Sequence, residues 1–285
     1  MPQDISEKIR DYYPSFSKGQ KKISNAVIKD YDKVAYMTAS KLGRFVGVSE
    51  STVVRFANEL GYDGYSSFQK AVQELVRVRL TPNQRIEITK RRIGQGNILD
   101  NVSEADIAKI RTTFDKLNTN AFHCACDAIL KARHIYVMGA RSSEPLAMIL
   151  KYNLSLIFDN VTLVAPKSTA EVFEQMFSIG ERDLLIAFSF PRYSSKMINA
   201  ARFAKQNKAE VIGFTDSINS PLAEHANYLL TAQSDMVSFM DSLVAPISLI
   251  NAIIVEITTR RETLIRDRFD RLEKIWDEYH VYTKI

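Results

Sequence analysis

Cysteine is nearly absent. The 285 residues hold only Cys124 and Cys126, too few for a disulfide framework or a thiolate metal cage. Standing two apart in a helix-like stretch, they face different ways and cannot grip one ion together. They read as reduced structural thiols of a cytoplasmic protein. A long apolar run is also missing. The longest, 243–255, is interrupted by Pro246, Ser248 and Asn251 and is too short to span a bilayer, so no membrane association is expected. The opening MPQDISEKIR has no apolar core and does not read as a secretory signal. There is no P-loop, no H-x-x-x-H metal spacing and no GxGxxG dinucleotide fingerprint, so neither metal nor cofactor is expected. No catalytic constellation stands out either. His123 and His280 have no evident partners, and His134 opens a strand and reads as structural. Only Glu144 and His225 stand where a base could approach a pocket, and neither has a clear partner. No catalytic residue is expected.

What is present is an uneven charge. Residues 1–92 hold 17 Lys and Arg against 10 Asp and Glu, a balance of +7, while the remainder holds 21 against 23, a balance of −2. A basic N-terminal part joined to a near-neutral remainder fits a nucleic-acid module attached to something else; a solvated basic surface gives the same count. The length suggests one to two domains, and 46% hydrophobic residues suffice for packed cores.

The stretch 38–61, TASKLGRFVGVSESTVVRFANELG, reads as two short helices around a tight turn. Thr38 and Ser49 are suited to cap the two helices. Gly43 is small where the second helix must cross closely, and Gly47 sits at the break, where a positive φ is cheap only for glycine. Val53, Phe56, Ala57 and Leu60 form one apolar stripe, and Gly61 ends the second helix. The other face carries Ser49, Ser51, Thr52, Arg55 and Asn58. A plain αα-hairpin shares this pattern; a helix-turn-helix uses it to place the start of its second helix in the DNA major groove. On that reading Thr38, Ser49, Ser51, Thr52, Arg55 and Asn58 are the candidate DNA contacts, with Arg55 able to pair with guanine or a phosphate.

Helices are expected over 4–13 and 17–30 before this motif and over 66–80 after it. Residues 81–97 mix Pro, Gly, Asn and charge without a clear period and read as a linker. Two helices follow, near 104–118 and 119–132. From His134 the period changes: strands at 134–140, 161–166, 183–190, 210–216 and 227–232 alternate with helical segments, implying a doubly wound α/β sheet. In such sheets ligands bind outside the carboxyl ends of the strands. Two loops there carry suitable residues, GARSS at 139–143 and SFPRYSS at 189–195. Hydroxyls and N–H groups at a helix start suit an anion, phosphate above all, although each loop taken alone also reads as an ordinary capped turn.

At this point the chain resembles the RpiR-type transcriptional regulators over nearly its whole length. MTASKLGRFVGVSESTVVRFANELGYDGYSSFQ, residues 37–69, is similar to that family's helix-turn-helix segment, including Gly61, Tyr62, Gly64 and Phe68 beyond the second helix. The remainder resembles a SIS (sugar isomerase) domain. Gly139, Ser142 and Ser143 match its G-x-x-S loop, and Ser189 and Ser194 match the outer positions of its S-x-S-G-x-T loop. Pro191 and Arg192 stand where that pattern has Ser and Gly; Arg192 either replaces lost backbone donors with charge or points elsewhere. Asn227 stands where an Asp is common. The resemblance implies a phosphosugar at Gly139, Ser142, Ser143, Ser189, Arg192, Ser194 and Ser195. It also implies a homodimer or dimer of dimers on double-stranded operator DNA.

The expected architecture is an all-α helix-turn-helix domain over 1–80, a linker over 81–103, and an α/β SIS-like domain over 104–285 with a five-stranded, mostly parallel sheet flanked by helices. The expected function is a cytoplasmic DNA-binding regulator controlled by a sugar phosphate or related metabolite. A sugar-phosphate isomerase with a helical extension and a protein-binding scaffold are the rivals.

Overall fold

The computed structural model describes residues 5–79, 81–93, 97–165, 168–236 and 238–283, and the chain divides into two compact units, Met1–Thr89 and Lys90–Ile285. The first is helical, with α1 (Ile5–Tyr12), α2 (Lys18–Lys29), α3 (Tyr31–Val34), α4 (Ala39–Val46), α5 (Glu50–Glu59), α6 (Gly64–Arg79) and the start of α7 (Pro82–Ile93). Its core is the apolar stripe of each helix. Ile9, Ile23, Val27, Leu42, Val53, Phe56, Phe68 and Val72 are all fully buried. Phe56 is central, with ring centroids 5.2 Å from Phe16 and 5.7 Å from Phe68. Burial of each such side chain contributes about 1.5–3 kcal/mol. From α6, the Tyr65 hydroxyl and the Gln69 amide both donate to the Met37 carbonyl, at 2.6 and 2.8 Å. Those bonds fix the segment entering the helix-turn-helix.

Helix α7 occupies most of the stretch expected to be an irregular linker. Its start is a capping box: Thr81 Oγ1 accepts from the Gln84 N–H at 3.3 Å while Gln84 Oε1 accepts from the Thr81 N–H at 2.9 Å. Pro82 stands at the first helical position, where its missing N–H costs nothing. Residues 94–96 of that stretch lie outside the described residues.

The second unit takes in the end of α7 and continues with α8 (Ile98–Lys116) and α9 (Thr119–Lys131). The strands β1 (His134–Gly139), β2 (Val161–Leu163), β3 (Asp183–Phe188), β4 (Glu210–Thr215) and β5 (Tyr228–Thr231) then alternate with α10 (Glu144–Ile157), α11 (Thr169–Gln175) and α12 (Ser195–Gln206), and α13 (Val244–Arg260) and α14 (Glu262–Glu278) close the chain. The order is β2-β1-β3-β4-β5 and every pairing is parallel. Alternate strand residues feed two cores, because successive side chains point to opposite faces. Ile135, Val137, Leu184 and Ile186 pack with α9, α10 and α13, whereas Tyr136, Met138, Leu185 and Ala187 pack with α11 and α12. The apolar face expected for α10 is buried at Leu146, Leu150 and Leu154, but Ile149 is 36% exposed beside Met148 and Tyr152.

Polar ties hold the edges. Where β3 begins, Arg133 grips Asp183 bidentately, Nε to Oδ1 at 2.8 Å and Nη2 to Oδ2 at 2.6 Å, and the Gly180 N–H adds a bond of 2.9 Å. Burial alone would raise the Asp183 carboxyl, but these donors hold it below the usual carboxylate range. On α8, Asp106 accepts from Ser242 at 2.9 Å and from the buried Lys109 at 3.0 Å, and Thr113 Oγ1 accepts from the Gln233 N–H at 2.9 Å. His123 is not alone: its Nδ1 lies 3.1 Å from Glu256 Oε1. Cys124 and Cys126 are free thiols, and burial pushes Cys126 up to about 12, so it is unreactive at neutral pH.

Candidate functional site

The helix-turn-helix is set by its caps. Thr38 Oγ1 accepts from the Lys41 N–H at 3.2 Å, and Ser49 Oγ from the Thr52 N–H at 3.3 Å. Gly47 takes φ +72°, and Val48 donates back to the Gly43 carbonyl at 2.9 Å. A Cβ at Gly43 would lie 2.8 Å from the Val48 carbonyl oxygen and 3.3 Å from the Glu50 nitrogen, so only glycine admits this crossing. Helix α5 ends in a Schellman turn, with Gly61 at φ +80° and Tyr62 donating to the Ala57 carbonyl at 3.1 Å.

At the start of α5 the hydroxyls form a local network. Ser49 Oγ is 2.9 Å from Ser51 Oγ and 2.8 Å from Thr52 Oγ1. Thr38, Ser49, Ser51, Arg55 and Asn58 are exposed and Thr52 is half-buried. Arg55 makes no ion pair or side-chain hydrogen bond among the described residues. Asn58 is partly committed, since its Oδ1 accepts from the Gly64 N–H at 3.1 Å; its amide N–H groups are what it can offer a base. The start of α2 lies beside this surface: Lys22 Nζ is 3.8 Å from a Cβ placed on Gly47, and Thr52 Cγ2 is 3.6 Å from one placed on Gly19. Lys22 therefore puts a cation beside the turn that precedes α5, a place suited to a phosphate.

In the second unit the strand order reverses direction between β1 and β3, which makes their carboxyl ends the switch point of the sheet. The last residues of the two strands, Gly139 and Phe188, are paired directly, so loops 139–143 and 189–195 start side by side. They then diverge, because α10 packs on one face and α12 on the other. All seven sequence-expected ligand residues lie in these two loops. The first folds back tightly: a Cβ on Gly139 would sit 2.3 Å from the Ser143 carbonyl oxygen, a clash no relaxation of a side chain could relieve.

Two serines here differ from the polar residues that precede other helices. Ser17, Thr38, Ser49, Thr81, Asn97, Asn118 and Ser168 each stand before a helix and accept an N–H from it. Ser143 and Ser194 stand before α10 and α12 and do not. Among the described residues no side-chain hydrogen bond is made by Ser142, Ser143, Ser189, Ser194 or Ser195. Ser189, 2% exposed at the end of β3, is the most telling, because its buried hydroxyl has no partner, a state that costs about 1–3 kcal/mol. Ser220 and Ser234, past the ends of β4 and β5, are likewise buried without a partner. Sequence reading missed both. It also missed the brace in which the Tyr193 hydroxyl donates to Asp216 Oδ1 at 2.9 Å, tying the second loop to the end of β4.

Arg192, at the position where the SIS pattern has Gly, adopts φ +65°. The backbone thus keeps the left-handed turn that glycine provides, at a cost of about 1–2 kcal/mol for a residue with a Cβ. Arg192 and Ser142 are exposed, and Pro191 is buried. The side chains of Glu144 and His225 make no hydrogen bond or ion pair among the described residues, and burial lowers the His225 pKa. The described residues contain no cluster of three or more potential metal ligands, and no described helix is long and apolar enough to cross a membrane.

A helix-turn-helix unit joined to a parallel α/β unit with two serine-bearing loops at its switch point defines a class: a DNA-reading module coupled to a sensor domain of the sugar-isomerase type. Residues 3–76 match the helix-turn-helix domain of the rpiR family and residues 128–256 match the SIS domain. The chain belongs to the RpiR family of transcriptional regulators. An HTH-type transcriptional regulator of Haemophilus influenzae is 26% identical over 231 residues, spanning 80% of this chain and 79% of its own. The HTH-type transcriptional regulator HexR of Escherichia coli is 23% identical over 288 residues, spanning 96% and 95%. Among solved structures, the Vibrio vulnificus NanR protein complexed with ManNAc-6P has the same fold, with TM-score 0.62 and 20% identity over 96% of this chain and 98% of its own. So has the sugar isomerase domain of an RpiR transcription factor from Sphaerobacter thermophilus, with TM-score 0.58 and 24% identity over 61% of this chain and 97% of its own. The relatives are named as regulators, and the chain is a regulator rather than an enzyme.

Proposed function

We propose that this regulator responds to a phosphorylated sugar or closely related carbohydrate metabolite held between loops 139–143 and 189–195. Ser142, Ser143, Ser189, Ser194 and Ser195 supply hydroxyls, Gly139 admits the tight first loop, and Arg192 supplies charge. The observation that carries this reading is the set of serine hydroxyls left unbonded at the switch point, beside the starts of α10 and α12, where backbone N–H groups favour an anion. The ManNAc-6P in the NanR structure supports the same ligand chemistry. In the other unit, Thr38, Ser49, Ser51, Thr52, Arg55 and Asn58 face operator DNA, with residues 1–80 as the DNA-binding domain and 104–285 as the sensing and dimerising domain. The protein works in the cytoplasm as a homodimer or dimer of dimers on a two-fold symmetric operator. The effector acts by binding one arrangement of that assembly more tightly than another.

The test is a fluorescence-anisotropy titration of full-length protein against duplexes selected from its own genome, with and without a panel of sugar phosphates. Salt-sensitive binding that shifts with a panel member is the expected result, and loss of that shift in Ser189→Ala together with Ser194→Ala assigns the crevice. Binding to duplex that no sugar phosphate alters, with no panel member raising the melting temperature, overturns the effector assignment.

A further inference from the structure

Among the described residues, four other than glycine take a left-handed backbone: Arg141 at φ +57°, Arg192 at +65°, Lys208 at +63° and His280 at +52°. Two of them are ordinary helix ends. Lys208 follows α12, with Ala209 donating back to the Ala204 carbonyl at 3.1 Å, and His280 follows α14, with Val281 donating to Trp276 at 2.9 Å. The other two end no helix. Arg141 lies in the loop after β1 and Arg192 in the loop after β3, so each loop flanking the switch point carries one arginine in a conformation that glycine adopts without strain. Neither makes an ion pair or side-chain hydrogen bond among the described residues, and both are exposed. Each loop flanking the switch point thus presents one forked cation, an arrangement that suits two separate anionic groups.

We infer that Arg141 and Arg192 make the effector a doubly anionic carbohydrate, a sugar phosphate bearing a second phosphate or a carboxylate. The inference rests on the reading above that the crevice holds a sugar phosphate. The serine hydroxyls and helix starts meet one anion, and the arginine across the crevice meets the other. A neutral sugar hydroxyl in that second place would desolvate a guanidinium without neutralising it, which disfavours singly anionic ligands. Glu144 and Asp216 are the carboxylates at the same edge. Asp216 is held by the Tyr193 hydroxyl at 2.9 Å and by Thr215 Oγ1 at 3.3 Å, so its charge is partly countered before a ligand arrives.

The test is isothermal titration calorimetry of the full-length protein with two matched pairs: fructose 6-phosphate against fructose 1,6-bisphosphate, and glucose 6-phosphate against 6-phosphogluconate. The variants are Arg141→Gly and Arg192→Gly, because glycine keeps the left-handed turn while removing the charge; an unchanged melting temperature verifies their fold. The wild type should bind the doubly anionic member of at least one pair about tenfold tighter or more, and each glycine variant should shrink that ratio towards one. Which pair responds separates a second phosphate from a carboxylate. If singly anionic sugars bind as tightly as their partners, or the variants weaken both members of a pair equally, the inference falls while the sugar-phosphate reading stands. If none of the four compounds binds, both fall.

Discussion

At the start of α5 the Ser49 hydroxyl is bonded to those of Ser51 and Thr52 and to the helix it caps; at the ends of β1 and β3, the hydroxyls of Ser142, Ser143, Ser189, Ser194 and Ser195 bond to nothing among the described residues. Backbone strain divides the same way. In the first unit positive φ falls on Gly47, Gly61 and Gly64, where it is cheap, whereas at the switch point it falls on two arginines. Such a helix-turn-helix is preformed, and DNA meets groups whose positions its own bonds have set. The switch point keeps unsatisfied donors and strained backbone, features that function and not stability explains. A reader of DNA gains from rigidity, while a sensor needs a site whose free energy changes on binding.

The sharpest way to break the contrast is to disable each half separately. Gly43→Val drives a side chain into the Val48 carbonyl and should cost about 3 kcal/mol or more, abolishing DNA binding while effector binding, read by calorimetry, persists. Gly139→Val should do the reverse, since its clash with Ser143 is closer still. Next in size is Arg133→Ala, which should lower the midpoint of urea denaturation because it strips a buried carboxylate of its charged partner. Since the Asp183 pKa is depressed in the fold, its contribution is full at neutral pH and is lost as pH falls through the carboxylate range, below about 4. The Arg133→Ala variant should therefore show a flatter acid limb. Arg55→Ala should weaken operator binding by about 1–3 kcal/mol and reduce the salt slope if the contact is to phosphate; unchanged affinity would remove Arg55 from the interface. Ser49→Ala should cost about 1 kcal/mol of stability through its lost cap. Ser189→Ala, the smallest, should leave stability unchanged or raise it by up to about 1 kcal/mol, because it deletes a buried hydroxyl that has no partner, while weakening effector response. If Ser189→Ala proved as destabilising as Ser49→Ala, the contrast would be lost.

Sequence alone carried the helix-turn-helix to the level of its caps, because each cap is a local rule tied to one residue: Thr38, Ser49, Gly47 and Gly61 all hold the places their chemistry predicts. The five strands were legible from the change of period at His134, and the two loops from their place after β1 and β3. Helix α7 was readable in principle, since TPNQ is a capping box with proline at the first helical position, but the weakly periodic, highly polar residues behind it masked the signal. Ile149 went astray because it sits at the margin of the α10 stripe. What no local rule supplies is long-range. The Tyr193–Asp216 brace, the buried hydroxyls of Ser220 and Ser234, and the left-handed turn at Arg141 each depend on which strand ends lie together. By capping rules alone Ser143 and Ser194 look like any other serine before a helix.

Helix α8 is pinned twice to the segment beyond β5, at Asp106 by Ser242 and at Thr113 by the Gln233 N–H, about two helical turns apart. A rod fastened at one point can swivel, but one fastened at two must follow its anchor bodily. A displacement of the two anchors, Gln233 and Ser242, is therefore carried into α8 as a whole rather than into one of its ends.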